Sequence, residues 1–141
     1  MKDVPGELHL AGKGVEVHID EQDASGLHVH GFVEDIDGFV NDHGILVSPI
    51  RIGSGIRVKI LESMALGKPI ITTAIGAAGI EYEKSKCLTI AESREDFIQA
   101  MTELSSNAHL REEIGRNAHS YIRKNHNIEE ISKQLLELLQ S

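Results

Sequence analysis

The spacing of apolar positions changes period several times along the chain. Glu7-Leu8-His9-Leu10-Ala11 alternates and predicts a short strand, which Gly12-Lys13-Gly14 then breaks. Residues 15–26 carry Asp20, Glu21, Asp23, Ser25 and Gly26 and read as loop or a frayed helix. Leu27-His28-Val29-His30 alternates again and predicts a second strand. Residues 34–42 place Ile36, Phe39 and Val40 on one side of a short helix. Gly44-Ile45-Leu46-Val47-Ser48-Pro49 is an apolar run of the kind found in strands buried on both faces. A helix is predicted over 55–66, with Ile56, Ile60 and Met64 sharing its core face and Gly67 ending it. Pro69-Ile70-Ile71-Thr72-Thr73 and Cys87-Leu88-Thr89-Ile90 read as strands. Helices follow over 93–105, 108–125 and 127–140, the first opened by Ser93 and Asp96 as a capping pair. There is no internal repeat and no low-complexity segment.

Strands alternating with helices predict one α/β domain, residues 1–141, with a Rossmann-like parallel sheet flanked by helices. Ligands of such sheets bind at the carboxyl ends of the strands. That directs attention to the loops at 12–14, 31–34, 49–56 and 74–80, all rich in glycine or small residues.

Composition narrows the function classes. The chain is 40% apolar and 26% charged, an ordinary globular balance. Its formal charge of −8, from 22 acidic and 14 basic residues, argues against nucleic-acid binding. That balance still leaves room for one basic pocket for a small phosphate ligand. The single cysteine, Cys87, has no internal partner for a disulfide, which fits a reducing compartment. No run is long enough to span a bilayer, and the first residues lack the apolar core of a signal peptide. The expectation is a cytoplasmic protein, with any membrane contact made through a segment outside these residues.

The richest chemistry lies in Gly53-Ser54-Gly55-Ile56-Arg57-Val58-Lys59-Ile60-Leu61-Glu62. A strand, a glycine loop and a helix start in succession make an anion site, because open amides at a helix start carry partial positive charge. Gly53 and Gly55 let the backbone approach a phosphate, Arg57 and Lys59 add to the field, and Glu62 suits a ribose diol. The plainer alternative is a turn followed by a surface Lys59–Glu62 ion pair, worth about 0.2–0.5 kcal/mol. The spacing is neither that of a Walker A loop nor the G-x-G-x-x-G of a dinucleotide fold.

The stretch from Gly53 through Lys59, Glu62, Ala65-Leu66-Gly67-Lys68-Pro69 and Ile70-Ile71-Thr72-Thr73 resembles the donor-site signature of the group 1 (family 4) glycosyltransferases. That signature lies in the C-terminal half of their two-domain GT-B fold. It has a glycine-rich turn, a K-x-x-E helix, an A-x-G-x-P turn and a strand ending in Thr. Leu8-His9-Leu10-Ala11-Gly12-Lys13-Gly14 is similar to the family's L-x-I-x-G-x-G, and Val29-His30-Gly31-Phe32-Val33 to its F-x-G-x-V. The helix over 111–120 and the closing helix over 128–139 are similar to its C-terminal pattern. The resemblance covers nearly the whole chain.

It implies a pocket for a nucleotide-sugar such as a UDP- or GDP-sugar. Gly53 and the amides of Ser54, Gly55 and Ile56 would hold the diphosphate with Arg57 and Lys59, and Glu62 the ribose. The loop with Gly12 and Gly14, and the backbone at Val33, would face the nucleotide. Gly76 and Gly79 would close over the sugar. Many members carry a second glutamate eight positions before Glu62, where this chain has Ser54. The resemblance implies retaining, metal-independent hexosyl transfer to a glycan or lipid-linked acceptor, with no cofactor. It also implies that an N-terminal acceptor domain, and the first strand and helix of this half, lie outside these residues. No residue reads as a general base, so the chain alone is expected to be inactive. A catalytically silent nucleotide-binding or interaction module and a GT-B sugar-nucleotide epimerase are the alternatives.

Four other features bear on function. Eight histidines invite a metal, and His28 and His30 share a strand face. No Cys or carboxylate stands at ligand spacing, so no metal is expected. Cys87 reads as a buried strand thiol and Asp35-Ile36-Asp37 as a solvated helix start. The closing helix is amphipathic and is expected to pack on its own core. If it reached toward another domain, as in the resembled family, part of its apolar face would be exposed here.

Overall fold

The computed structural model describes residue 4, residues 6–13 and residues 25–140. Gly14 and residues 15–24 of the predicted 15–26 loop lie outside the described residues. Strand β1 (Leu8–Ala11) pairs in parallel with β2 (Leu27–Gly31), with His9 opposite His28 and Leu10 opposite Val29. Helix α1 (Ile36–Asp42) follows, its N-cap Asp35 accepting a hydrogen bond from the Gly38 amide at 2.9 Å. Then come β3 (Leu46–Ser48), α2 (Val58–Ala65) and β4 (Ile70–Thr72). The short α3 (Tyr82–Ser85) precedes β5 (Thr89–Ile90). Helices α4 (Arg94–Ser106), α5 (Ala108–Asn125) and α6 (Ile128–Gln140) complete the chain. The second sheet is parallel and ordered β3-β4-β5. The parallel α/β class expected from the sequence is therefore the observed one, with the described strands divided between a pair and a triplet.

Central strand β4 shows why the triplet is stable. Its residues are fully buried, and successive side chains point to opposite faces. Ile70 enters a core with Ile60 and Met64 of α2, Ala118 of α5, and Ala77, Ile80, Cys87 and Leu88. Ile71 enters the other core with Phe97, Ala100 and Leu104 of α4, Ile114 of α5, and Ala91. Helices thus cover both faces of the sheet, as parallel strands require.

Helix α2 starts later than expected. The predicted start at Gly55 gives way to Val58, with Arg57 as N-cap. The reason is backbone conformation: Gly53 and Gly55 have φ of +133° and +81°, incompatible with a right-handed helix. Ile56 therefore lies in the loop and is exposed, so only Ile60 and Met64 of the expected trio reach the core. At its other end Gly67 (φ +69°) ends the helix as expected. The Gly67 amide donates to the Met64 carbonyl and the Lys68 amide to the Ser63 carbonyl. Gly115 of α5 packs against the Gly67 carbonyl, at a distance that leaves no room for a Cβ.

The closing helix departs from expectation. Ile131, Leu135, Leu136, Leu138 and Leu139 are all exposed, the last two by about three quarters (73% and 75%). Helix α6 meets α5, and none of its described apolar side chains joins either core.

Candidate functional site

The loop over 49–57 leaves the carboxyl end of β3 and the loop over 73–81 leaves that of β4. Threonine hydroxyls fasten the two strand ends together. Thr72 Oγ1 donates to the Ser48 carbonyl at 2.8 Å, and Thr73 Oγ1 donates to the Ile50 carbonyl. Thr73 Oγ1 also accepts from the Gly76 amide at 3.1 Å. Gly76 is buried against Thr72 Oγ1 with no space for a side chain. Gly79 sits on Ile56, where an added Cβ would come within 3.1 Å of Cγ1. The structure therefore brings the residue 53–59 segment and the Gly76 and Gly79 loop together at adjacent strand ends.

Within the first loop, Gly53 lies under the Arg57 guanidinium, and a Cβ there would collide with it. Arg57 Nη2 makes a long contact of 3.4 Å with the Ile52 carbonyl. Arg57 Nε is buried and has no hydrogen-bond partner among the described residues. Such an unsatisfied donor costs about 1–3 kcal/mol, a cost an incoming anion relieves. Arg57 has no side-chain cap to offer α2, so the amides of Val58 and Lys59 have no acceptor within the helix. The amides of Ser54, Gly55 and Ile56 belong to the loop and not to the helix start, because of the glycine conformations described above. Lys59 Nζ meets Glu62 Oε2 at 2.8 Å on the exposed side of α2. This is the surface pair that the plainer reading of the motif anticipates.

Gly12 and Val33 stand at the ends of the β1–β2 pair, on the other sheet. The Gly12 amide donates to the Gly31 carbonyl at 2.7 Å, which closes the strand ends. Sequence reasoning missed Glu92, which follows β5 and accepts from the Ala74 amide at 2.7 Å, steadying the second loop. Its position directly after a strand was the available signal. Cys87 is buried just before β5 and accepts a hydrogen bond from Ser85 Oγ at 2.9 Å. Burial pushes its thiol above the usual range, which suits a packing role.

Sequence reasoning also missed a cluster of imidazoles. His9 stacks on His28 at 4.7 Å and on His30 at 5.1 Å, and His43 tilts against it at 4.2 Å. His9 Nδ1 and His30 Nε2 are 2.8 Å apart. Partial burial, then the neighbouring His43, His28 and His30, hold the His9 imidazole below its ordinary value. Strand alternation places His28 and His30 together, but the pairing of β1 with β2 that adds His9 was not legible from local pattern.

The family model of glycosyl transferases group 1 matches residues 2–107. The chain belongs to that family. A relative in Klebsiella pneumoniae, an uncharacterized 44.6 kDa protein in the cps region, is 26% identical over 98 residues. The match spans 70% of this chain and 25% of that protein. Solved structures share the fold. Anabaena Alr3699/HepE in complex with UDP superposes over 96% of this chain and 41% of its own, with a TM-score of 0.78 at 17% identity. The C-terminal domain of the group 1 glycosyl transferase LpcC from Francisella tularensis aligns over 90% of both chains, with a TM-score of 0.69 at 16% identity. WaaG, a glycosyltransferase involved in lipopolysaccharide biosynthesis, aligns over 82% of this chain and 33% of its own, with a TM-score of 0.69 at 20% identity. This group 1 chain therefore has the fold of a C-terminal GT-B half and spans well under half of most of these relatives.

Proposed function

We propose that this chain holds the diphosphate of a nucleotide-sugar donor at the 49–59 segment, for glycosyl transfer by a larger protein. One observation carries the reading. Two loops at adjacent parallel-strand ends are pinned together around a glycine turn whose arginine has an unsatisfied buried donor. Family membership and the UDP and UDP-glucose bound by HepE support it.

In this reading the diphosphate sits against the loop amides of Ser54, Gly55 and Ile56 and the open amides of Val58 and Lys59. Arg57 swings from its weak contact with Ile52 to the phosphate oxygens, where a charge-assisted bond is stronger. Lys59 also turns to the diphosphate and frees Glu62 for the ribose hydroxyls. Breaking their exposed pair costs about 0.2–0.5 kcal/mol, less than one charge-assisted bond returns. Val33 and Gly12 face the base, and Gly76 and Gly79 face the sugar.

The transfer is of a hexosyl group with retention and without a metal. The bond from the anomeric carbon to the diphosphate breaks, a bond to an acceptor hydroxyl oxygen forms on the same face, and the hydroxyl proton passes to the departing diphosphate. Negative charge develops on the leaving diphosphate, where preorganised donors are each worth about 3–4 kcal/mol. No cofactor takes part. The acceptor is a glycan or lipid-linked saccharide held by an N-terminal domain, a reading in keeping with the lipopolysaccharide biosynthesis in which WaaG takes part. Without that domain these residues bind donor but do not turn over. The parent enzyme works in the cytoplasm, with any membrane contact made by the other domain. No helix among the described residues is long and apolar enough to cross a membrane.

Calorimetric titration with UDP, GDP and ADP tests the proposal. Half a site should bind one nucleotide at about millimolar Kd, near −4 kcal/mol. Glu62→Ala and Lys59→Ala should each raise that Kd by about tenfold. Equal binding by wild type and both variants would overturn it.

A further inference from the structure

The imidazole cluster on β1 and β2 lies outside the diphosphate loops. Glu7, the residue just before β1, stands two positions from His9 and lies on the same side of the chain as its imidazole. His9 and His28 are register partners, which puts His28 on that face as well, and His30 follows it by two. Two segments of the chain thus bring three donor groups to one point. Glu7 Oε2 lies 3.7 Å from His9 Nε2, and Glu7 Oε1 lies 3.5 Å from His28 Nε2. One ligand atom from each of the three residues falls within 4.8 Å of the others.

We propose that Glu7, His9 and His28 form a binding site for a divalent transition-metal ion of the zinc class. Two imidazoles and one carboxylate are a donor set suited to such ions, with water in the fourth position. Tetrahedral zinc with bonds near 2.0–2.1 Å needs ligand atoms about 3.3 Å apart. Each Glu7 oxygen faces a different imidazole, so whichever oxygen binds has one contact already close to that edge. The other separations, at most 4.8 Å, close by about 1.5 Å through side-chain rotation.

The surroundings complete the site. His30 Nε2 is 2.8 Å from His9 Nδ1, so His9 in its Nδ1–H tautomer donates to it. That tautomer leaves the His9 Nε2 lone pair facing Glu7 and the ion. An outer partner on the second ring nitrogen is the usual support of a metal-bound histidine. Glu7, His9 and His43 also line a cavity of about 490 Å³, which gives an ion a way in. The ion would clip β1 to β2, the strands whose ends carry Gly12 and Gly31. It sits upstream of those ends and takes no part in transfer. This differs from the no-metal expectation because the ligands come from two paired strands, a juxtaposition that ligand spacing does not reveal.

Titration of the untagged, chelator-treated chain with zinc chloride tests the site, followed by calorimetry and imidazole nitrogen NMR. One equivalent should bind saturably, with the largest shifts at His9 and His28 Nε2. Glu7→Gln, His9→Ala and His28→Ala should each weaken binding at least tenfold, and His30→Ala by about tenfold as an outer partner. His109→Ala, on α5, should change nothing. Glu7→Gln alters only an exposed side chain, so it separates lost ligation from lost folding. Absence of saturable binding in a folded sample would overturn the proposal. So would binding that survives Glu7→Gln and His28→Ala unchanged.

Discussion

At the scale of single residues, His9 shows how neighbours set a titration. Its folded value lies below 6.5, so near and below that pH the unfolded chain binds the proton more readily. Stability should therefore rise with pH through that window and level off above 6.5. Asp96 acts at lower pH with the same outcome. Hydrogen bonds from the Ser93 backbone and hydroxyl, and from the Glu92 backbone, hold its carboxyl below the ordinary 3.8. Its stabilisation is present above 3.8 and is lost as pH falls through the depressed value. His9→Gln should flatten the fall in urea midpoint between pH 7 and pH 5, and an unchanged slope would show that other groups set it. The motif residues were legible for local reasons: glycines, lysine and glutamate stand close in sequence. Arg57's unsatisfied Nε was not legible, since it depends on the guanidinium folding back over Gly53.

At the scale of elements, local capping chemistry made several boundaries readable. Ser93 and Asp96 form the expected capping box, with the Asp96 amide 3.1 Å from Ser93 Oγ and the Ser93 amide 2.8 Å from Asp96 Oδ2. Ser93→Ala should cost about 1 kcal/mol in chemical denaturation, within a range of about 0.5–2. A loss near zero would mean that α4 is held by packing alone. The start of α2 was misread because periodicity at Ile56, Ile60 and Met64 continues through glycines whose positive φ ends the helix. The four-residue α3 is too short for periodicity to register. Its stop at Lys86, a non-glycine residue at φ +50°, leaves no glycine to read.

At the scale of the whole molecule, the parallel class followed from the alternation of strands and helices. The division of the strands into a pair and a triplet did not, because pairing is a tertiary outcome. The amphipathic pattern of α6 has the same limit: it shows an apolar face without saying what covers it. The contrast between burial and exposure has a measurable consequence. Met64 is fully buried between β4 and α5, so Met64→Ala should cost about 2–5 kcal/mol. Leu138→Ala with Leu139→Ala should shift stability by less than about 0.5 kcal/mol, because both side chains are already exposed. A large loss from the pair would mean that α6 is buried in solution.

Donor binding at the joined β3 and β4 loops is the central claim, and amide NMR with added nucleotide tests where binding occurs. One of UDP, GDP or ADP should shift amides over residues 53–59 and 74–79 in a saturable way, with Glu62→Ala suppressing the response. A folded sample whose shifts are absent, or confined to α6 or the β1–β2 histidines, would contradict the account.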